Sequence, residues 1–326
     1  MTATPASGLP PIRFFRINRH RKLAWWGSAL ASLLSIVGLV LCAITPSIGA
    51  PLKPGLDFTG GTQIQIQRQC ERGQCSPVAA ARIQERLASL QLPDDEDGTP
   101  APRLENTVVQ VLDQGQSLVL RLPTLAPAQG AAVVADLNAL VGPLEQSGTG
   151  VNTIGPTLGA QLLQNSLVSL VASFAAIAIY IAFRYDRVFA FLALLCLAHD
   201  VLITCGVFAW LGLLRGVEVD SLFAVALITV AGYSVTDTVV VFDRIREQKT
   251  ALSALPMADQ VDVAVDATLT RSLYTSFTTL LPLLGLIFFG GSSLFWFSVA
   301  LAIGIGVGSW SSIGLAPTLL PVFSRR

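Results

Sequence analysis

Six long apolar runs constrain this chain more than any other feature: residues 23–44, 162–183, 189–213, 221–242, 272–290 and 294–320. About 20 predominantly apolar residues in helical form cross a hydrocarbon core about 30 Å thick. Composition agrees, since 52% of the chain is hydrophobic and 13% is charged, against about 25% charged in soluble domains. The chain therefore reads as a polytopic α-helical membrane protein. Its formal net charge is zero, which excludes a polyanion such as nucleic acid as a partner for the molecule as a whole.

The first run follows the basic segment "RFFRINRHRKLAWW". Signal-peptide cores are typically about 7–15 residues, and residues 23–44 exceed that, so the run is expected to remain as an uncleaved span. Orientation follows from the placement of Lys and Arg. Thirteen lie in one set of segments: the N-terminus 1–22 (Arg13, Arg16, Arg19, Arg21, Lys22), loop 184–188 (Arg184, Arg187), loop 243–271 (Arg244, Arg246, Lys249, Arg271) and the tail (Arg325, Arg326). The opposite short loops hold only Arg215, and segment 45–157 holds seven basic against eleven acidic residues. Both termini are thus expected in the cytoplasm, with 45–157 on the external, periplasmic or lumenal side and 158–326 forming a five-helix bundle.

Segment 45–157 is long enough for one small domain. "TQIQIQ" alternates as a strand, and "PVAAARIQERLASL" has helical periodicity with Pro77 near its start. "DDEDGTPAP" is an acidic loop, and "TVVQVLDQGQSLVLRL" reads as two strands around a turn at Gly115. "AQGAAVVADLNALVGPL" is a second helix, followed by "GVNTIGP". The order β-α-β-β-α-β predicts an α+β, ferredoxin-like domain. Cys70 and Cys75, on the expected external face, are candidates for a disulfide; zinc would require two further ligands nearby, and no metal site is expected.

Ionisable groups inside membrane spans are functional candidates. His199 and Asp200, in "LCLAHDVLITCG", fall about 16 Å along the third span. In the fourth, no charged residue separates Asp220 from Asp237. Thr229 and Tyr233 precede Asp237 at spacings of eight and four, a single polar stripe. In "TRSLYTSFTTLLP" of the fifth span, Arg271, Thr275 and Thr278 form a second stripe. An arginine facing Asp237 would hold its carboxylate ionised; the alternatives are that Arg271 snorkels to the headgroups and that Asp237 is a structural cap. The last span repeats small residues at Ala300, Gly304, Gly308 and Ser312, a face for close helix packing.

Taken together, "GLDFTGGTQIQI" (Gly55, Asp57, Gly60, Gly61), "HDVLITCGVF", "GYSVTDTVVVFDRIRE", "RSLYTSFTTLLPLL" and "GSWSSIGLAPTLLP" resemble the SecD/SecF family of protein-export membrane proteins, in its smaller SecF branch. The resemblance implies half of a resistance-nodulation-division-type bundle, completed by a SecD partner. It also implies an accessory role to the SecYEG channel, using the proton-motive force on a preprotein that SecA has already driven in. No cofactor is implied beyond protons as coupling ion, and no catalytic chemistry of its own. Asp237 and Arg271 map onto the family's proton-linked pair, with Asp200 a further candidate. Thr236 stands where the family usually has Asn, and Ser272 where Thr commonly follows the Arg. The implied location is the inner (plasma) membrane or a thylakoid membrane. Two rivals differ in class. A small-molecule exporter would bring twelve spans and two large external domains; an intramembrane aspartyl protease would need a "GxGD" motif that the chain lacks.

Overall fold

The computed structural model describes residues 16–70, 75, 78–94, 101–105, 107–112, 115–145 and 148–324. Arg13, Pro77, Arg325, Arg326 and most of the acidic loop lie outside the described residues. The chain divides into two compact units, 1–53 with 166–326 and 54–165.

The smaller unit holds a four-stranded antiparallel sheet with strand order β2-β3-β1-β4. A short helix, α2 (Leu56–Thr59), precedes β1 (Gly61–Gln67). Then come α3 (Ala80–Ser89), β2 (Val108–Leu112), β3 (Ser117–Leu122), α4 (Pro127–Val141) and β4 (Gly150–Ile154). Each helical crossover skips one strand, so β3 lies between β1 and β2, and β1 between β3 and β4. Alternation puts Ile64, Ile66, Leu118 and Leu120 on one face, buried with Ile83 and Leu87 of α3 and Val133 and Leu137 of α4. Gln63, Gln65 and Gln67 take the other face, as the period of two demands.

The glycine pair between α2 and β1 has a steric reason. Gly60 and Gly61 have φ of 71° and 120°, where a Cβ is disfavoured. A Cβ on Gly61 would also lie 2.8 Å from the Leu122 carbonyl oxygen, and one on Gly60 would lie 3.0 Å from the Pro156 backbone. Gly55 caps α2 and Asp57 is half-buried within it; the glycine-rich text gave no sign of this helical turn. Cys70 and Cys75 are joined by a disulfide with Cα atoms 5.0 Å apart. Next to Cys70, buried Arg68 donates to the carbonyls of Val141 (3.0 Å) and Gly115 (2.8 Å), tying α4 and the hairpin turn to β1.

The larger unit is helical. A 3₁₀ turn, Ile17–His20, leads into α1 (Arg21–Ile44). Five further long helices follow: α5 (Pro156–Arg184, entering this unit at 166), α6 (Arg187–Arg215), α7 (Ser221–Gln248), α8 (Met257–Phe289) and α9 (Gly291–Trp310). α9 continues through a π-turn, Ser311–Leu315, into α10 (Ala316–Phe323). Six of these helical stretches are long and apolar enough to cross a membrane. The fifth begins fifteen residues earlier than the apolar run at 272, so most of segment 243–271 is helical rather than loop. Charged and apolar residues alternate there on a helical period, with Val261, Ala264 and Val265 packed in the core, which a search for unbroken apolarity does not detect. The 3₁₀ turn is fastened to this extension: Asn18 donates both its backbone N–H (3.0 Å) and its Nδ2 (2.9 Å) to Asp262 Oδ1.

α6, α7 and the α9–α10 helix form the centre of the bundle, while α5 is largely exposed. Close approach relies on small residues. The Trp210 indole of α6 lies over Gly38 of α1, 2.7 Å from where a Cβ would sit, and donates to the Leu34 carbonyl at 2.9 Å. Tyr185, between α5 and α6, is flanked by the guanidinium groups of Arg184 (5.1 Å) and Arg246 (5.4 Å). Burial raises its phenol pKa, and neighbouring Asp243 adds to the rise.

Candidate functional site

The small-residue stripe of α9 determines the site. Gly304 lies against Val230, Gly308 against Ser234, and Ser312 donates a hydrogen bond to Asp237. One helix advances four residues at a time and α7 by four and then three, so two stripes run side by side, and the missing side chains bring α9 against α7. At the end of this seam Asp237, only 8% exposed, is held by two hydroxyls. Ser272 of α8 donates to Oδ1 at 2.8 Å, and Ser312 of the π-turn donates to Oδ2.

A second carboxylate lies on α6. Asp200 is fully buried and faces three polar groups, two of them hydroxyl donors. His199 Nδ1 lies 2.8 Å from Oδ1, while Ser234 of α7 and Ser311 of the π-turn each donate to Oδ2 at 2.6 Å. The other ring nitrogen of His199 is buried without a hydrogen-bond partner. Beside the Asp237 site, the Tyr233 hydroxyl donates to Ser276 at 2.9 Å, and Ser276 lies 2.5 Å from Ser309 of α9. Satisfied donors are what make buried carboxylates tolerable in an apolar bundle.

The expected meeting of Asp237 with Arg271 is not what α8 presents. Ser272 and Ser276 face α7, whereas Arg271, Thr275 and Thr278 are exposed. One residue is about 100° of helix rotation, so a stripe displaced by one position looks away from the neighbour. Among the described residues no ion pair joins Arg271 to Asp237. Thr275 and Thr278 return their hydroxyls to carbonyls four residues back, at 2.7 and 2.8 Å. Thr229 and Thr236 are likewise exposed and bond to Val225 and Gly232 of their own helix. Of the residues expected to support Asp237 and Arg271 along the two stripes, Tyr233 alone, among the described residues, hydrogen-bonds across helices.

Ser234 and Ser312 read in the sequence only as small residues for close helix contact and Ser272 only as the neighbour of Arg271, while nothing there singles out Ser276, Ser309 or Ser311. A serine in an apolar run reads as helix-packing material; only its register against a carboxylate on another helix makes it a ligand. Among the described residues no group of three or more His, Cys, Asp or Glu converges as a metal site.

Fold and site together define a multi-pass membrane protein with an α+β domain between its first two spans and two hydrogen-bonded carboxylates buried in its bundle. Residues 133–326 match the model of the protein export membrane protein SecD/SecF C-terminal region, and residues 47–71 match the SecD/SecF GG motif. The chain belongs to the SecD/SecF family. It is 51% identical to the protein translocase subunit SecF of Prochlorococcus marinus over 94% of each chain, and 41% identical to that of Synechocystis over 92% of this chain and 91% of the other. Among solved structures, that of SecDF from Thermus thermophilus, described as a translocon-associated membrane protein, superposes with a TM-score of 0.77 at 28% identity. The match covers 96% of this chain and 39% of that longer one.

Proposed function

We propose that this chain is a SecF-type accessory subunit of Sec protein export, working with a SecD-type partner to promote late steps of translocation at the expense of the proton-motive force. The relatives' names support the translocase role, and the longer SecDF chain, which this chain spans only in part, supports a SecD-type partner. SecYEG would be the channel, SecA would act upstream, and a preprotein would be the substrate. Basic residues gather at both termini and in the loops on the same side, which supports cytoplasmic termini in a plasma or thylakoid membrane. The Cys70–Cys75 disulfide fits an oxidising compartment for the smaller unit.

The observation that carries the proton reading is Asp237 itself. Its carboxylate is buried where three elements meet, with one hydroxyl donor from α8 and one from the π-turn. An ionised carboxylate accepts from both hydroxyls; a protonated one must itself donate, so taking up a proton rearranges the junction. One charge crossing 100 mV is worth about 2.3 kcal/mol, a bias of about fiftyfold on a two-state equilibrium. Arg271, exposed on α8, is then available to the partner subunit or to the proton's route.

The test uses inverted membrane vesicles carrying the export channel, in which completion of a SecA-released translocation intermediate is followed with and without a proton gradient. The gradient should accelerate the wild type and leave Asp237→Asn unchanged. Equal acceleration of both, with the variant assembled, would make Asp237 structural.

A further inference from the structure

Ser311 and Ser312 are consecutive, yet they serve different carboxylates on different helices: Ser311 donates to Asp200 of α6 and Ser312 to Asp237 of α7. Both belong to the π-turn Ser311–Leu315, where the Ala316 N–H bonds to the Ser311 carbonyl five residues back. Such turns carry one residue more than a regular helix and recur at functional sites. The helix is fixed on either side of it. Upstream, Gly304 and Gly308 are locked against Val230 and Ser234. Downstream, Trp25 Nε1 of α1 donates to Thr318 at 2.9 Å, and Ala316 and Leu320 sit in the core, with Leu315 at the end of the turn packed beside them. Absorbing the extra residue would rotate one flank by about 100° against the other. A change of register confined to the turn is therefore one that leaves both flanks seated.

We propose that the Ser311–Ser312 turn couples the two carboxylates, so that a change of protonation at Asp237 is transmitted to Asp200 through the backbone of the π-turn. The proposal rests on the reading of Asp237 as the proton acceptor. When Asp237 takes a proton from the aqueous phase, the bond from Ser312 loses its anionic acceptor and about half its strength. The bond from Ser311 to Asp200 is untouched by that event and becomes the stronger anchor, drawing the turn toward α6. Ser311 and Ser312 are positioning residues in this scheme.

The titratable groups around the turn are few. α6 contributes Cys196, one turn before Asp200, with His199 and Asp200. α7 contributes Asp237 and Tyr233, the latter bonded to Ser276. α8 presents the hydroxyls of Ser272 and Ser276, with the side chain of Arg271 exposed. The flanking part of α9 presents Ser309.

A carbodiimide that attacks protonated carboxyl groups, applied to the full-length protein in membrane vesicles across a pH series and read by mass spectrometry at Asp237, tests the coupling. Labelling of Asp237 should rise as pH falls. Ser311→Ala removes the bond to Asp200 and a longer one to the Gly308 carbonyl of the same helix (3.1 Å). It touches no atom of Asp237 directly, but it frees the turn and carries Ser312 out of register. The midpoint for Asp237 should therefore move to higher pH, with labelling at pH values well above the wild-type midpoint faster by about threefold or more. Ser311→Thr restores the hydroxyl and should restore the profile. Ser298→Ala, which removes a buried hydroxyl without a partner elsewhere on α9, should leave the profile unchanged. A purely electrostatic link predicts the opposite sign: Asp200 with one donor fewer protonates more readily, removes a negative charge, and lowers the Asp237 midpoint. A fall, or no shift, overturns the coupling and leaves the proton reading standing. Absence of Asp237 labelling at every pH overturns that reading and the coupling with it.

Discussion

Ser234 lies three residues before Asp237 on α7, yet its hydroxyl serves the other carboxylate, donating to Asp200 on α6 at 2.6 Å. One turn of one helix thus contributes a carboxylate to one site and a donor to the next. The two sites are adjoining parts of a single polar seam through an apolar bundle.

Ser234→Ala should be felt as lost stability. Asp200 is fully buried, and removing one donor leaves part of its hydrogen-bonding capacity unmet. The expected cost is about 1–3 kcal/mol, read as a lower unfolding midpoint of the detergent-solubilised protein. A change within about 0.5 kcal/mol would mean that the oxygen finds another donor.

Gly206→Leu should separate α1 from α6. A Cβ at Gly206 would overlap Ser35 of α1, whose backbone lies directly opposite. Ser35 is buried and bonded to the Ala31 carbonyl, so it has nowhere to retreat. Overpacking of this kind costs about 1–3 kcal/mol. A cross-link between cysteines introduced on the two helices, efficient in the parent background, should weaken markedly in the variant.

Arg271→Ala separates function from stability. The side chain is exposed and ion-paired to neither carboxylate, so the stability of the isolated chain should stay within about 0.5 kcal/mol of wild type. Gradient-dependent export in vesicles should nevertheless fall. A large loss of stability in the isolated chain would show a contact with Asp237 that the geometry does not contain.

Cys70→Ser should destabilise the smaller unit without touching the bundle. The disulfide spans five residues of sequence, and closing so short a loop is worth about 2 kcal/mol through the unfolded chain. Thermal unfolding followed with a probe in that unit should shift down, and reduction of the wild type should reproduce the shift. An unchanged midpoint in both experiments would show that neighbouring contacts, such as those of Arg68, already fix the loop.

The sequence by itself determined the number of apolar spans, because crossing a hydrocarbon core demands a length that only such runs supply. It also placed the strands of the smaller unit and the two helices that cross between them, though not the short α2, because Ile64, Ile66, Leu118 and Leu120 repeat with the period of the pleat and that period assigns a face. Gly60 and Gly61 stood out only through the family motif, and their reason, backbone angles that few residues other than glycine tolerate, came from the fold. Asp237 and Asp200 stood out because a carboxylate in an apolar run is costly wherever it points. Their partners did not stand out. Whether Arg271 or Ser272 faces α7 depends on a rotation of about 100°, set by packing across the α7–α8 contact and invisible within either helix. The pairing of Ser311 and Ser312 with two carboxylates 111 and 75 residues away needs a π-turn, and nothing in the local text "GSWSSIGLAP" announces one. Helix formation is decided by neighbours in the chain, but register between helices is decided by side chains that meet only after folding, and the site is built from register.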